Sequence, residues 1–193
     1  FLFGYRIFSG SGRMGSKDTT MLVDGIIAHA RRIPPTLNYA RAQNNNHLIS
    51  EALGLYCAGV ALSWHPQSHS WRTLGWHWLV NALQTQIEDD GTYAQHSTNY
   101  HRLMLQAALL ANAVAKHTDQ ALLPCLRDKL GKAACWLGAQ LDPVPGKVPN
   151  LGHNDGAYVF PLATGGFSDY RPVCQASAIA FLGKKLLPPG ASD

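Results

Sequence analysis

No apolar run in the sequence approaches the roughly 20 residues a helix needs to cross a bilayer, so no membrane-inserted segment is predicted. Charge is scarce as well. Asp, Glu, Lys and Arg make up only 15% of the 193 residues, and although the balance is basic, at +4, the cations form no dense run. A nucleic-acid partner, which needs clustered Lys and Arg, is therefore not predicted. Cysteine is confined to Cys57, Cys125, Cys135 and Cys174, each alone in an apolar stretch and none in a Cys-x-x-Cys pair, so the sequence predicts buried free thiols rather than a zinc cage or redox motif. Period-2 alternation, the mark of a half-buried strand, is missing throughout.

What is present is a repeating order of helix, polar loop and helix, which predicts an all-α domain. Helices are expected over 18–32, 46–63, 70–88, 97–117, 119–141 and 171–187. The second carries Leu48, Ile49, Ala52, Leu53, Leu55, Tyr56 and Val60, apolar on almost every side, as in a helix buried all round. The third shows a stripe, Trp71, Leu74, Trp78 and Ala82, and hence one outward face. The fourth follows Ser97 as N-cap and is again rich in apolar residues; the fifth is amphipathic, with Pro124 either kinking it or marking its start. This alternation predicts an incomplete α/α toroid of helical hairpins, although a compact irregular bundle fits the same periodicity. The domain is placed at 1–187, with Pro188 to Asp193 as a linker-like tail, and together with an opening at Phe1 this predicts a piece of a longer chain. A long segment over 141–170, rich in Pro, Gly, Asn and Asp, reads as a functional loop.

Three polar clusters carry the candidate chemistry: Asn44 to His47, then Glu88 to His101, then His153-Asn154-Asp155 with Tyr170-Arg171. Each lies at or just before the start of an alternate predicted helix, so in an up-and-down array all three belong to one rim. Helix N-termini present unpaired N–H groups and a positive dipole end, which suits carboxylates or sulfates. Arg41, Arg102 and Arg171 read as loop cations within reach of a polyanion, and Trp64, Trp71, Tyr93 and Tyr158 as aromatics that either stack on sugars or pack internally.

The string Asn45-Asn46-His47-Leu48-Ile49-Ser50-Glu51-Ala52, followed by Asp90-Gly91-Thr92, Gln95-His96-Ser97 and Asn99-Tyr100-His101, resembles the heparinase II/III and related alginate lyase families. Asn154-Asp155-Gly156 and the helix at Arg171 extend the likeness over residues 40 to 180 or so. The resemblance implies a helical toroid that continues into a β-sandwich domain, with the active site between them and a further catalytic His or Tyr supplied by the sandwich. It implies an anionic polysaccharide as substrate, β-elimination as the reaction, and a bacterial periplasmic or secreted setting. It gives Asn46 and His47 to the uronate carboxylate and Tyr100 to proton transfer. Asn45, Glu51, Gln95, His96, Asn99, His101, His153, Asp155 and Arg171 are the substrate-binding candidates that go with them.

Elimination chemistry asks for the same residue types. Removing the C5 proton of a uronate builds charge on the neighbouring carboxylate, which the Asn46 amide and His47 imidazole are suited to stabilise without a metal. Tyr100 is expected to serve as acid, base or both, with His101 and Arg102 lowering a phenol whose reference value is about 10. His47 is the alternative base, and Glu51, one turn on, either orients that imidazole, helps neutralise the substrate or stabilises the helix. A metal site of His96, His101, His153 and Asp155 lacks any recognised spacing, so no metal or cofactor is predicted. The alternatives kept open are an inverting glycoside hydrolase using Glu88 or Asp90 with Asp155, and a non-catalytic polysaccharide-binding or capsule-assembly module.

Overall fold

The computed structural model describes residues 2–188, apart from the side chain of Phe3, so most of the predicted tail, 189–193, lies outside the described residues. The described chain is all-α. Its helices are α1 (Leu2–Phe8), α2 (Ser16–Gln43), α3 (Asn46–Ala61), α4 (Ser68–Gln86), α5 (Thr98–Ala115), α6 (Pro124–Ala139) and α7 (Arg171–Leu182). Among the described residues extended pairing is limited to isolated bridges, Ile87 with Tyr93 and Asp142 with Lys147. By contact density the chain divides into two compact units, Phe1–Leu79 and Val80–Asp193, within the 1–187 span that the sequence reads as one domain.

In the first unit α2 corrects the sequence reading most. It runs on past Pro34-Pro35 to Gln43, where a helix ending near residue 32 was expected. An internal proline costs a helix about 3 kcal/mol or more, but Leu37 and Ala40 beyond the pair are as buried as Ile26 and Ala30 before it. Continuing the helix keeps one apolar stripe against α3, and that burial outweighs the local penalty. Helix α1 had no predicted counterpart.

The near-total burial of α3 agrees with its all-round apolar pattern. It meets α4 through two glycines. A Cβ on Gly59 would lie 2.5 Å from the Arg72 backbone nitrogen, and one on Gly75 2.4 Å from that of Tyr56, so each side chain is excluded by the opposing backbone. The buried face of α4 is consequently set by Trp71, Leu79, Ala82 and Leu83. Trp78, expected in the stripe, is half-buried instead, with the Arg41 guanidinium 3.9 Å from its ring centre.

In the second unit α5 is the central element, buried along nearly its whole length and flanked by α6 and α7. Pro124 begins α6 rather than kinking it, since a proline at the first helical position loses no hydrogen bond. Helix α7 stops at Leu182, before the expected end, because Gly183 takes the left-handed conformation at φ 68°. The chain then folds back, Leu186 and Leu187 donating their backbone N–H groups to Gln175 Oε1 at 3.0 and 2.9 Å. All four cysteines are free, but only Cys174 is buried; Cys57 is half-buried, and Cys125 and Cys135 are exposed, correcting the expectation of buried thiols.

Candidate functional site

The first polar cluster lies in the unit Phe1–Leu79. Asn44 ends α2 in the left-handed conformation, φ 45°, which Asn tolerates better than most residues. Asn45 then caps α3, its side-chain oxygen accepting from the His47 backbone N–H at 3.0 Å. Asn46 and His47 thereby become the first two residues of a buried helix; Asn46 is half-buried and His47 exposed. The Glu51 carboxylate accepts a 2.8 Å hydrogen bond from the Thr36 hydroxyl of α2.

The second and third clusters meet in the unit Val80–Asp193. Ser97 caps α5 by accepting from the Tyr100 backbone N–H at 3.1 Å, and the same hydroxyl donates to the His153 carbonyl at 2.6 Å. Thr98 donates its backbone N–H to the Leu151 carbonyl, 3.1 Å, and its hydroxyl to the Pro149 carbonyl, 2.9 Å. Two turns on, Gln106 donates to the Phe160 carbonyl at 2.9 Å and accepts from the Val159 N–H at 3.1 Å. The loop over 149–160 is therefore laid along α5 and fastened to it by α5 side chains.

Gly152 allows the closest passage. Its φ is +65°, and a Cβ there would stand 2.4 Å from the carbonyl oxygen of His96, itself at φ 50°. Only glycine meets both conditions. Beyond it the Tyr100 hydroxyl donates to Asp155 Oδ2 at 2.6 Å, while Asp155 Oδ1 accepts from the Ala157 N–H at 3.1 Å. Both carboxylate oxygens are thus directed, one inward to its own turn and one to the tyrosine.

Arg102 is not the loop cation the sequence suggested. It sits 1% exposed on α5, with its guanidinium carbon 4.1, 4.3 and 4.8 Å from the ring centres of Phe167, Tyr170 and Tyr158. It donates to the Phe167 carbonyl and, at 2.6 Å, to Asn99 Oδ1. Burial pushes its guanidinium below the ordinary value, and three aromatic faces and two oxygens stand in for part of the water it has lost. Thr98, Arg102 and Gln106 recur at every fourth position, so a single polar face of α5 holds the loop. Arg171 is likewise occupied, paired with Asp169 at 2.8 Å and donating to the Val144 carbonyl at 3.3 Å.

The electrostatics correct the expectation for Tyr100. Its phenol is raised above the ordinary value, first by donating to Asp155, then by partial desolvation and the nearby negative charge. The Asp155 carboxyl is held below its usual range, chiefly by the same bond and then by the Ala157 N–H. His101 and Arg102 do not lower Tyr100 because the helix turns both into the core. His101 lies 1% exposed, stacked 4.8 Å from the Trp136 ring with Nε2 2.9 Å from the Ala133 carbonyl, and burial pushes it down to about 4.

Among the remaining predicted site residues, His96 and His153 are exposed and Gln95 is half-buried, its Oε1 3.1 Å from the Tyr93 hydroxyl. Asn99 is buried and committed to Arg102, so neither it nor His101 has surface to offer a polymer. The aromatics also sort themselves: Trp71 and Tyr93 are core, Tyr158 faces Arg102, and Trp64 is exposed. Ser97, Thr98, Gln106 and Gly152, which build the site, were not among the predicted site residues. The signal available for Thr98 and Gln106 was the polar face of an otherwise buried helix, which requires partners from elsewhere in the chain, and for Ser97 it was the N-cap position.

The chain belongs to the heparinase II/III N-terminus family, which it matches over residues 3–124. That span holds Asn46, His47 and Tyr100 and ends before His153, Asp155 and Arg171. Membership relates the chain to polysaccharide lyases and points to a polysaccharide as what it handles. No curated protein and no solved structure matches it.

Proposed function

We propose that the chain is the helical part of a polysaccharide lyase that cleaves a uronic-acid-containing polysaccharide by β-elimination, with Tyr100 in the proton transfer. The observation that carries this reading is the Tyr100 hydroxyl, half-exposed in the first turn of α5 and held 2.6 Å from Asp155, within a chain of the heparinase II/III family. A base removes the proton from C5, its electron pair becomes the C4–C5 double bond, and the C4–O4 bond breaks as O4 takes a proton. Tyr100 supplies a hydroxyl for that exchange, and Asn46 and His47, at the N-terminus of α3, supply donors for the uronate carboxylate or, in His47, an imidazole base. Asn45, Gln95, His96 and His153 are proposed as polar contacts along the polymer. A β-sandwich portion of the same polypeptide is proposed to complete the catalytic set, and the setting is proposed to be periplasmic or secreted.

The glycoside hydrolase alternative finds less support. An inverting hydrolase needs one carboxyl kept protonated as general acid. Asp155 is held below its usual range by Tyr100, and Asp90 by the Thr92 N–H, so the pair Asp90 and Asp155 holds no such acid.

The test is the ultraviolet absorbance of the unsaturated uronate end on a panel of alginate, heparan sulfate and other uronans, with Tyr100→Phe alongside. The rate should fall by about 100- to 10,000-fold in the variant, the range set by loss of a positioned proton donor. New reducing ends without the absorbance would overturn the reading in favour of hydrolysis, and binding without either signal would favour a non-catalytic module.

A further inference from the structure

We propose that Arg41, laid across the ring of Trp78, forms an acid-reading subsite at the same end of its unit as Asn46 and His47. Its guanidinium takes an oxyanion, carboxylate or sulfate, carried by a second sugar of the bound chain. The inference rests on the proposed polysaccharide reading and adds to it a residue that selects among polymers by their acid groups. All four residues lie in the unit Phe1–Leu79.

The packing of α3 on α4 sets where the ring stands. Gly59 meets α4 at Ser68 and Arg72, and Gly75 meets α3 at Ala52 and Tyr56, so the two helices run antiparallel. Trp78, nearly one turn beyond Gly75, is thereby carried towards the N-terminus of α3. At a rise of about 1.5 Å per residue it stands level with a point within about 10 Å of Asn46. Arg41 reaches the same place from α2. It lies in the last turn of that helix, and its carbonyl accepts from the Asn44 N–H at 3.2 Å as the chain turns into α3. The short turn puts Arg41, Asn46 and His47 at one end of the unit, and Trp78 joins them through the guanidinium, 3.9 Å from its ring centre.

A guanidinium on an aromatic ring is held through its flat face, which leaves the N–H groups around its edge directed outward. Arg41 is exposed, and at that edge it donates to Asn38 Oδ1 at 3.3 Å, a long bond to an equally exposed amide. Among the described residues no carboxylate pairs with it, whereas Arg171 is spent on Asp169 and Lys129 on Asp89. The ring beneath is itself seated: Trp78 is half-buried, with the His77 ring 4.8 Å away at 79°. An ordinary surface arginine gives up rotamer freedom when it binds. Arg41 is already ordered by Trp78 and Asn38, so more of its interaction with a ligand is expressed as affinity. Its planar fork matches two oxygens of a carboxylate or a sulfate. The favourable dipole open to any cation in the last turn of a helix calls for neither an aromatic face nor a planar head, and a lysine would serve it equally.

The experiment measures binding by calorimetry on the full chain in the Tyr100→Phe background, so that no ligand is consumed. The ligands are an alginate oligosaccharide, a sulfated heparan oligosaccharide and a carboxyl-reduced alginate oligosaccharide as neutral control. Arg41→Gln should weaken binding of an acidic ligand by about 10-fold, the order of one charge-assisted hydrogen bond, and leave binding of the control unchanged. A loss on the alginate oligosaccharide assigns the oxyanion as a carboxylate; a loss confined to the heparan one assigns it as a sulfate. Arg41→Lys should recover only part of the affinity. The indole N–H signal of Trp78 in NMR, assigned by its absence in Trp78→Phe, should shift with the acidic ligand and not with the control. Full affinity in Arg41→Gln, full rescue by Arg41→Lys, or an equal loss on the neutral control would each overturn the inference. Failure of the chain with Arg41 intact to bind any uronan would instead overturn the polysaccharide reading beneath it.

Discussion

Tyr100 and His101 are neighbours in the chain with opposite surroundings, because successive helical residues point about 100° apart. One turn of α5 sends the phenol to Asp155 and the imidazole into the core against Trp136. The motif around Tyr100 was readable as chemistry, yet the value of its phenol was not, since that depends on a partner in a loop distant along the chain. His101 gives a stability prediction with a definite sign. Its folded value is about 4 against an ordinary 6.5, so between these the unfolded chain binds a proton that the folded chain refuses. The stability it contributes is complete above pH 6.5 and is lost as pH falls towards 4, a change on the order of 3 kcal/mol. Urea denaturation at several pH values should show this slope in the wild type and a shallower one in His101→Phe, which keeps a stacked ring but cannot take up a proton. Equal slopes would mean that another group carries the effect.

At the scale of elements, α5 and the loop over 149–160 form one construction. Ser97→Ala removes the cap of α5 and the partner of the His153 carbonyl together. It should lower stability by about 1–2 kcal/mol, towards the upper end for an N-cap. Gly152→Ala should cost about 1–3 kcal/mol, from the positive φ and the clash with His96. Both variants should also expose the loop to proteolysis, measured as cutting between residues 149 and 160 before any cut in α5; loss of stability without loop cutting would contradict the fastening. Helix existence was legible wherever an apolar pattern was long, as in α3 and α5. The passage of α2 through Pro34-Pro35 was not, because the local rule against internal proline is overridden by burial that only the folded unit reveals. Arg102 illustrates the same limit: a cation before an apolar run reads as surface, and only the loop's aromatics turn it into a buried fastening.

At the scale of the molecule, the all-α class and the heparinase II/III family were both readable from the sequence, the first from periodicity and the second from the Asn45-Asn46-His47 and Asn99-Tyr100-His101 strings. The division into two compact units was not, since α4 runs across the boundary as one uninterrupted helix. No helix among the described residues is long and apolar enough to cross a membrane. The central claim concerns the bond that is broken, and it is tested most directly by mass. A uronan oligosaccharide of defined length, incubated with the protein, should give two products whose masses sum to that of the substrate, because elimination consumes no water. Products whose masses sum to the substrate plus one water would contradict the account.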